Sequence, residues 1–333
     1  MSGIVADNID RQSGVIAEPA GGPEVRSDDP SASAGVVWFN TTSGVLKVYR
    51  NVGAWSSGGN LNTGRAGLSG SNGTQSACFI AGGDTSGGRT LNSETYNGSS
   101  WTSRGDLTGS GRSNVGHFGT STAGAVAGGW TGSIQTLTNE FNGASWTDVS
   151  AALGTGSFSH GACGTQTAAL SRVGGYDDVS IYRTCEEYDG TSHSASADLA
   201  GDTYAANTCG TSSSAIRAGG HVGGVVATCE TFNGTSWSSS SALAQARRQS
   251  GTFGASNSDA TVTAGWSGSA DLDSTESWNG SSWASGDTLA AARRQSSGSG
   301  SSSGTGLVAG GTSNTNTTEE FSDAVTARTV TDS

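Results

Sequence analysis

Six copies of a small-Gly-Gly turn divide this chain. They are Ala81-Gly82-Gly83, Ala127-Gly128-Gly129, Val173-Gly174-Gly175, Ala218-Gly219-Gly220 and Ala309-Gly310-Gly311, with Ala264-Gly265-Trp266 as a variant. Successive turns stand 45 or 46 residues apart. A fixed period of that length marks a repeat architecture, in which one unit cannot bury its apolar face without its neighbours. About fourteen residues after each turn comes an aromatic: Tyr96, Phe141, Tyr188, Phe232, Trp278 or Phe321. A Glu precedes it by two at Glu94, Glu186, Glu230, Glu276 and Glu319, while repeat two has Asn139 there. Asn-Gly or Asp-Gly follows at 97, 142, 189, 233 and 279, and then Trp101, Trp146, Trp237 or Trp283, with His193 in repeat three.

These segments read as strands. Short apolar runs ending at Gly-Gly suit buried strands, and Asn-Gly supplies the φ > 0 residues that tight hairpins need. The Glu-x-aromatic segment is expected to be a half-exposed strand. A further strand lies upstream of each Gly-Gly, giving four per repeat. Only residues 241–249 and 288–295 approach a helical pattern, and both read as links between units. Gly makes up 54 of 333 residues, which together with abundant Ser and Thr could signal disorder. The nine Trp, eight Phe and six Tyr recur at fixed intervals and argue for packed cores instead.

The series Gly-Gly, Glu-x-Tyr-Asn-Gly-x-x-Trp, Leu and Arg resembles the Kelch motif. The Leu stands at 107, 153, 199, 243 and 289; the Arg is Arg112, Arg247 or Arg248, and Arg293 or Arg294. The resemblance spans residues 60–321 and implies an all-β Kelch-type β-propeller with one blade per repeat. Six blades are expected, over residues 61–324. The sixth repeat lacks a Trp strand of its own, and residues 55–60, with Trp55, Leu61 and Arg65 in order, are expected to complete it. Residues 36–55 with 325–331 as a seventh blade are the alternative. Residues 36–60 read as a β-hairpin and closing strand, and 325–333 as a tail or closing strand.

The first 35 residues hold all three prolines and no aromatic, and read as an extended docking arm. The segment Trp38-Phe39-Asn40-Thr41-Thr42-Ser43-Gly44-Val45-Leu46-Lys47-Val48-Tyr49 resembles segments near the start of tail-fibre and other virion proteins of tailed bacteriophages. That resemblance covers about 55 residues. It implies a virion structural protein, assembled in the host cytoplasm in several copies, that contacts other virion proteins through residues 1–35. Ile4, Val5, Ile9, Val15 and Ile16 are the docking candidates.

The net charge of −12 disfavours nucleic acid or an anionic membrane as a partner. No secretory signal or spanning apolar stretch is legible. Five cysteines without CxxC spacing suggest free buried thiols rather than disulfides or zinc. The four histidines lack metal-ligand spacing. His117 and His160 sit at matching places in repeats two and three, where they could converge on a central channel. No catalytic residue, metal or cofactor is expected. The recurring glutamates should bind backbone or an Arg of the next repeat. A carbohydrate-active or copper-oxidase-type enzyme on the same fold, or a protein-binding Kelch scaffold, are the alternative readings.

Binding is the favoured function. In a Kelch blade the loop after Gly-Gly and the link between blades open on one face. Asp84, Trp130, Tyr176, Asp177, Asp178, His221 and Trp266 follow the Gly-Gly turns, and Arg112, Arg248 and Arg294 come from the links. Aromatic faces beside polar groups suit sugar rings, so this face is expected to bind host surface polysaccharide.

Overall fold

The computed structural model describes residues 24–30 and 36–330. The chain splits into two compact units, Met1–Ala54 with Asp323–Ser333, and Trp55–Ser322. Both are built from strands. Among the described residues there is no α-helix, only a 3-10 turn at Thr312–Asn314, and no helix that could cross a membrane.

In the larger unit each repeat becomes an antiparallel sheet of strands taken in chain order. Repeat two forms Gly116–Gly119, Gly124–Ala127, Leu137–Phe141 and Trp146–Ala152. Repeat four forms Asn207–Thr211, Ser214–Ala218, Cys229–Phe232 and Trp237–Ser240, and repeats three and five follow the same plan. The fold is therefore all-β and of the β-propeller-like class. The sheet of repeat six runs Ser297–Ser302, Thr305–Ala309, Thr318–Thr329 and then Val45–Ser57. In the larger unit its last strand is the stretch from Trp55, with Gly58 N donating to Thr318 O at 2.9 Å and Leu61 N to Asn316 O at 2.8 Å. The residues that repeat six lacks thus come from 260 residues upstream in the chain.

Local chemistry explains the turns. Gly82 and Gly83 both have positive φ, and a Cβ on Gly83 would lie 2.7 Å from Ala66 O. Only Gly adopts such φ values freely. At the Asn-Gly turns only the Gly has positive φ, not both residues as a two-residue hairpin would need. The loops are four residues long. Asn97 Oδ1 accepts from Ser99 N at 3.0 Å and Ser100 N at 2.9 Å, and Asn233 and Asn279 cap their loops in the same way. Such side-chain bonding to amides two and three residues on is the Asx turn.

The core lies between sheets. Phe79 of repeat one packs with Val126, Phe141 and Trp146 of repeat two, and Leu307 and Ala309 of repeat six pack with Cys78, Ile80 and Trp101 of repeat one. In the Glu-x-aromatic strands the Glu (Asn139 in repeat two) and the aromatic are buried and the residue between them is part-exposed in repeats two to six, while in repeat one every residue of Ser93–Tyr96 is covered.

The first strands of successive sheets lie side by side, which is why they are small. A Cβ on Gly298 would lie 2.8 Å from the Thr252 carbonyl carbon, and one on Gly161 2.9 Å from Thr208 Cβ. Repeat one departs from the plan. Its first strand, Ser69–Gly70, leaves its own sheet to pair in parallel with Gly116 and His117, and it touches the first strands of all five other repeats.

Recurring polar contacts join the sheets. Trp101 Nε1 donates to Thr318 Oγ1 at 2.9 Å, Trp146 Nε1 to Ser93 Oγ at 2.9 Å, and Trp55 Nε1 to Thr275 Oγ1 at 3.0 Å. In repeat three His193 Nε2 meets Thr138 Oγ1 at 2.8 Å, so the His does the Trp's task. Each of these hydroxyls belongs to the residue before the recurring Glu, or before Asn139 in repeat two, of the preceding sheet. At the two remaining positions that residue is Cys185 or Cys229. Trp237 Nε1 is there buried without a partner, and Trp283 Nε1 turns to Ser241 O at 3.0 Å.

In the smaller unit Glu24–Arg26 pairs in parallel with Val37–Asn40, which forms a hairpin with the strand from Val45. Trp38 is buried, and Lys47, the sole lysine, bonds Asp29 at 2.9 Å. Val330 N donates to Leu46 O at 2.9 Å. The docking candidates Ile4, Val5, Ile9, Val15 and Ile16 lie outside the described residues.

Candidate functional site

The residue after each Gly-Gly turn pairs with a residue of the link leading into the same sheet. The pairs are Ala66 with Asp84, Ser113 with Trp130, Phe158 with Tyr176, Tyr204 with His221, and Arg248 with Trp266. In repeat six Thr312 N donates to Arg294 O at 2.9 Å. Each pair is held by backbone bonds, so rigid sheet ends fix where the side chains start.

The side chains meet across repeats. Trp130 and Phe158 have ring centroids 5.5 Å apart, Phe158 and Tyr176 5.5 Å, Tyr176 and Tyr204 5.1 Å in a stack, and Tyr204 and His221 5.0 Å. Arg248 Nη1 donates to the Tyr204 hydroxyl at 3.2 Å. The Arg294 guanidinium covers the Trp266 ring 4.2 Å from its centroid, at the distance of a cation–π contact. These residues are half-buried. They form one continuous arc of aromatic and basic groups, from Trp130 in repeat two to Arg294, which leads into repeat six.

Of the expected residues, Trp130, Tyr176, His221, Trp266, Arg248 and Arg294 belong to this arc. Asp84 sits at the equivalent place in repeat one, 4.0 Å from Arg89. Asp177 is a loop staple: it accepts from Val179 N at 3.0 Å, from Ser180 N at 2.6 Å and from the Tyr182 hydroxyl. The Tyr182 bond, then that of Ser180, holds its carboxyl below the usual carboxylate range. Asp178 is exposed with φ of 74°. Arg112 is not on the face. It is buried, donates to Gly128 O, Leu137 O and Asn139 Oδ1, and is pulled down to about 10 by burial against the opposing pull of Asp148.

Arg112 is instead the second repeat's version of an internal tie. Arg65 bonds Glu94 at 2.6 Å, Arg247 bonds Glu276 at 2.8 Å, and Arg293 bonds Glu319. These arginines come from the link entering the sheet, hence from the preceding repeat rather than the next. Where the link carries Ser157 or Thr203, Arg172 and Arg217 on the second strand reach Glu186 and Glu230 instead. The carboxylates also accept link amides, such as Ala244 N on Glu276 at 2.7 Å and Ala200 N on Glu230 at 2.8 Å. A carboxylate so occupied serves structure, since buried charges need a partner.

Phe158, Tyr204, Arg89 and Asp271 escaped the reading of the sequence. Phe158 and Tyr204 occupy the link position of Arg248 and Arg294, so aligning the links as carefully as the turns would have found them.

His117, His160 and the cysteines face inward. His117 is buried, with its ring against Ser69 O and the Ala81 backbone. Burial drives the His160 ring down to about 3, with Arg172 adding to it. All five cysteines are free and buried, and burial raises Cys78 and Cys185 to about 12. Among the described residues no three His, Cys, Asp or Glu side chains group as a metal site. A separate cleft of about 500 Å³ between repeats four and five is lined by Ser239, Ser240, Ser258, Ser281, Asn257 and Trp278, with no charged group.

The fold is that of an all-β, β-propeller-like protein with an arc of half-buried aromatic and basic side chains at the sheet ends. No protein-family model matches the chain, and no curated protein matches it either.

Proposed function

We propose that this chain is a non-enzymatic binding protein of a phage virion, a six-bladed Kelch-type propeller that presents its aromatic arc to host surface glycan. The arc carries the reading. Sugar rings offer apolar C–H faces and many hydroxyls, and half-buried aromatics flanked by hydroxyl and guanidinium groups match both. The six repeat sheets serve as blades, and Trp55 gives the sixth sheet the outer strand that its own repeat lacks. The resemblance of residues 38–49 to virion proteins supports attachment to a particle through the arm, with several copies presented outward.

The test is binding of purified chain to host surface polysaccharide, with Trp130→Ala and Trp266→Ala combined. The double variant should bind at least about tenfold more weakly with its melting temperature little changed, because loss of two hot-spot aromatics removes more than about 1.4 kcal/mol. Equal binding by the double variant would remove the arc as the site.

A further inference from the structure

We infer that the arc selects a carboxylate-bearing sugar, with Arg248 as the group that takes the carboxylate; this rests on the glycan reading above. The charges of this surface are nearly all paired. Arg89 lies 4.0 Å from Asp84 and Arg294 lies 3.4 Å from Asp271. The link arginines one position earlier, Arg247 and Arg293, are consumed by Glu276 and Glu319. Arg248 alone in the arc has no carboxylate partner among the described residues. Its guanidinium makes one side-chain bond, to the Tyr204 hydroxyl, which fixes it beside the stacked Tyr176 and Tyr204 rings.

Its other neighbours leave that charge uncompensated. Trp266 is its backbone partner, and His221 packs on Tyr204 at 5.0 Å. Burial and the Arg248 charge both push His221 down, which keeps it a neutral hydrogen-bonding ring. A guanidinium suits a carboxylate because its planar fork donates two parallel bonds. A uronic or sialic acid brings that carboxylate together with a ring that lies on tyrosine. The chain's net charge of −12 works against general adsorption of polyanions, so acidic-glycan binding would report this site.

The test uses the full chain against polygalacturonate and alginate, neutral dextran and mannan, and dextran sulfate, at 150 and 500 mM NaCl. Expected is uronate binding that Arg248→Gln weakens at least about tenfold, the size of a lost charge-assisted contact. Tyr204→Phe, which frees Arg248 but keeps the stack, should weaken it less. Arg104→Gln, a charge-matched change on an exposed arginine after the Trp101–Ser103 strand, should leave it unchanged. Melting curves accompany each variant. Uronate binding unaffected by Arg248→Gln overturns the inference and leaves the glycan reading standing. So does neutral-glycan binding without uronate binding, or dextran sulfate binding as tight as uronate. Binding of no glycan at all by the intact chain overturns the glycan reading itself.

Discussion

Trp237 offers a direct test of how the sheets are joined. Its indole N–H is buried without an acceptor, while Trp101, Trp146 and Trp55 each donate to a Ser or Thr hydroxyl of the neighbouring sheet. The residue in the acceptor's place is Cys185, whose thiol is a poor acceptor. Cys185→Thr should supply the missing oxygen. The side chain suits the position, since Thr138, Thr275 and Thr318 occupy it elsewhere and are equally buried. The new hydroxyl proton also has somewhere to go, because the Cys185 sulfur already lies 3.6 Å from Arg183 O. An unsatisfied buried donor costs about 1–3 kcal/mol, and burying a hydroxyl in place of a thiol returns part of that. The net gain should be about 1 kcal/mol, or roughly 2–4 °C in Tm for a unit of this size. Urea denaturation of the four proteins of a cycle, with Trp237→Phe as the second change, isolates the bond. The coupling should be about 1–2 kcal/mol in favour of the Thr–Trp pair. Cys185→Thr destabilising by the same amount with Trp or Phe at 237 would refute the reasoning.

His160 should make stability pH-dependent. Above about pH 6.5 the ring is neutral folded and unfolded; below it the unfolded chain takes up a proton that the buried ring refuses down to about 3. Stability should therefore fall on acidification, by up to about 1.4 kcal/mol per pH unit from this residue, and His160→Gln should flatten the urea midpoint between pH 6.5 and 4.5; an unchanged slope counts against it. Close approach of the first strands predicts that Gly298→Ala costs about 3 kcal/mol or more, while Gly201→Ala, with open space around it, stays within about 0.5 kcal/mol. Denaturation midpoints decide that comparison, and equal stabilities would mean that the strands have room.

Much of the architecture was legible because it is set locally. Gly-Gly pairs at positive φ, Asn side chains that cap the amides two and three residues on, and a Trp, or His193 in repeat three, impose the same turn and strand wherever they recur. Repeats in register therefore announced the sheets, and Trp55 announced where the missing strand of repeat six would come from. The candidate face was legible in part, since the residue after each Gly-Gly turn has a fixed exit direction. Its link half was not. Arg247 and Arg248 are neighbours in sequence, yet one enters an ion pair and the other faces outward, and by the same alignment Arg112 goes inside.

The sequence by itself determined the period, the turns, the strand polarity and the aromatic positions, because these follow from backbone preferences within a few residues. Tertiary structure alone decided which arginine meets which glutamate, that Arg172 and Arg217 replace the link arginines, that Ser69–Gly70 deserts its sheet, and that Phe158 and Tyr204 fill the gaps in the arc. Those outcomes depend on contacts between groups 13 to 47 residues apart in the chain, where packing of strand on strand and sheet on sheet, rather than local conformation, sets the distance.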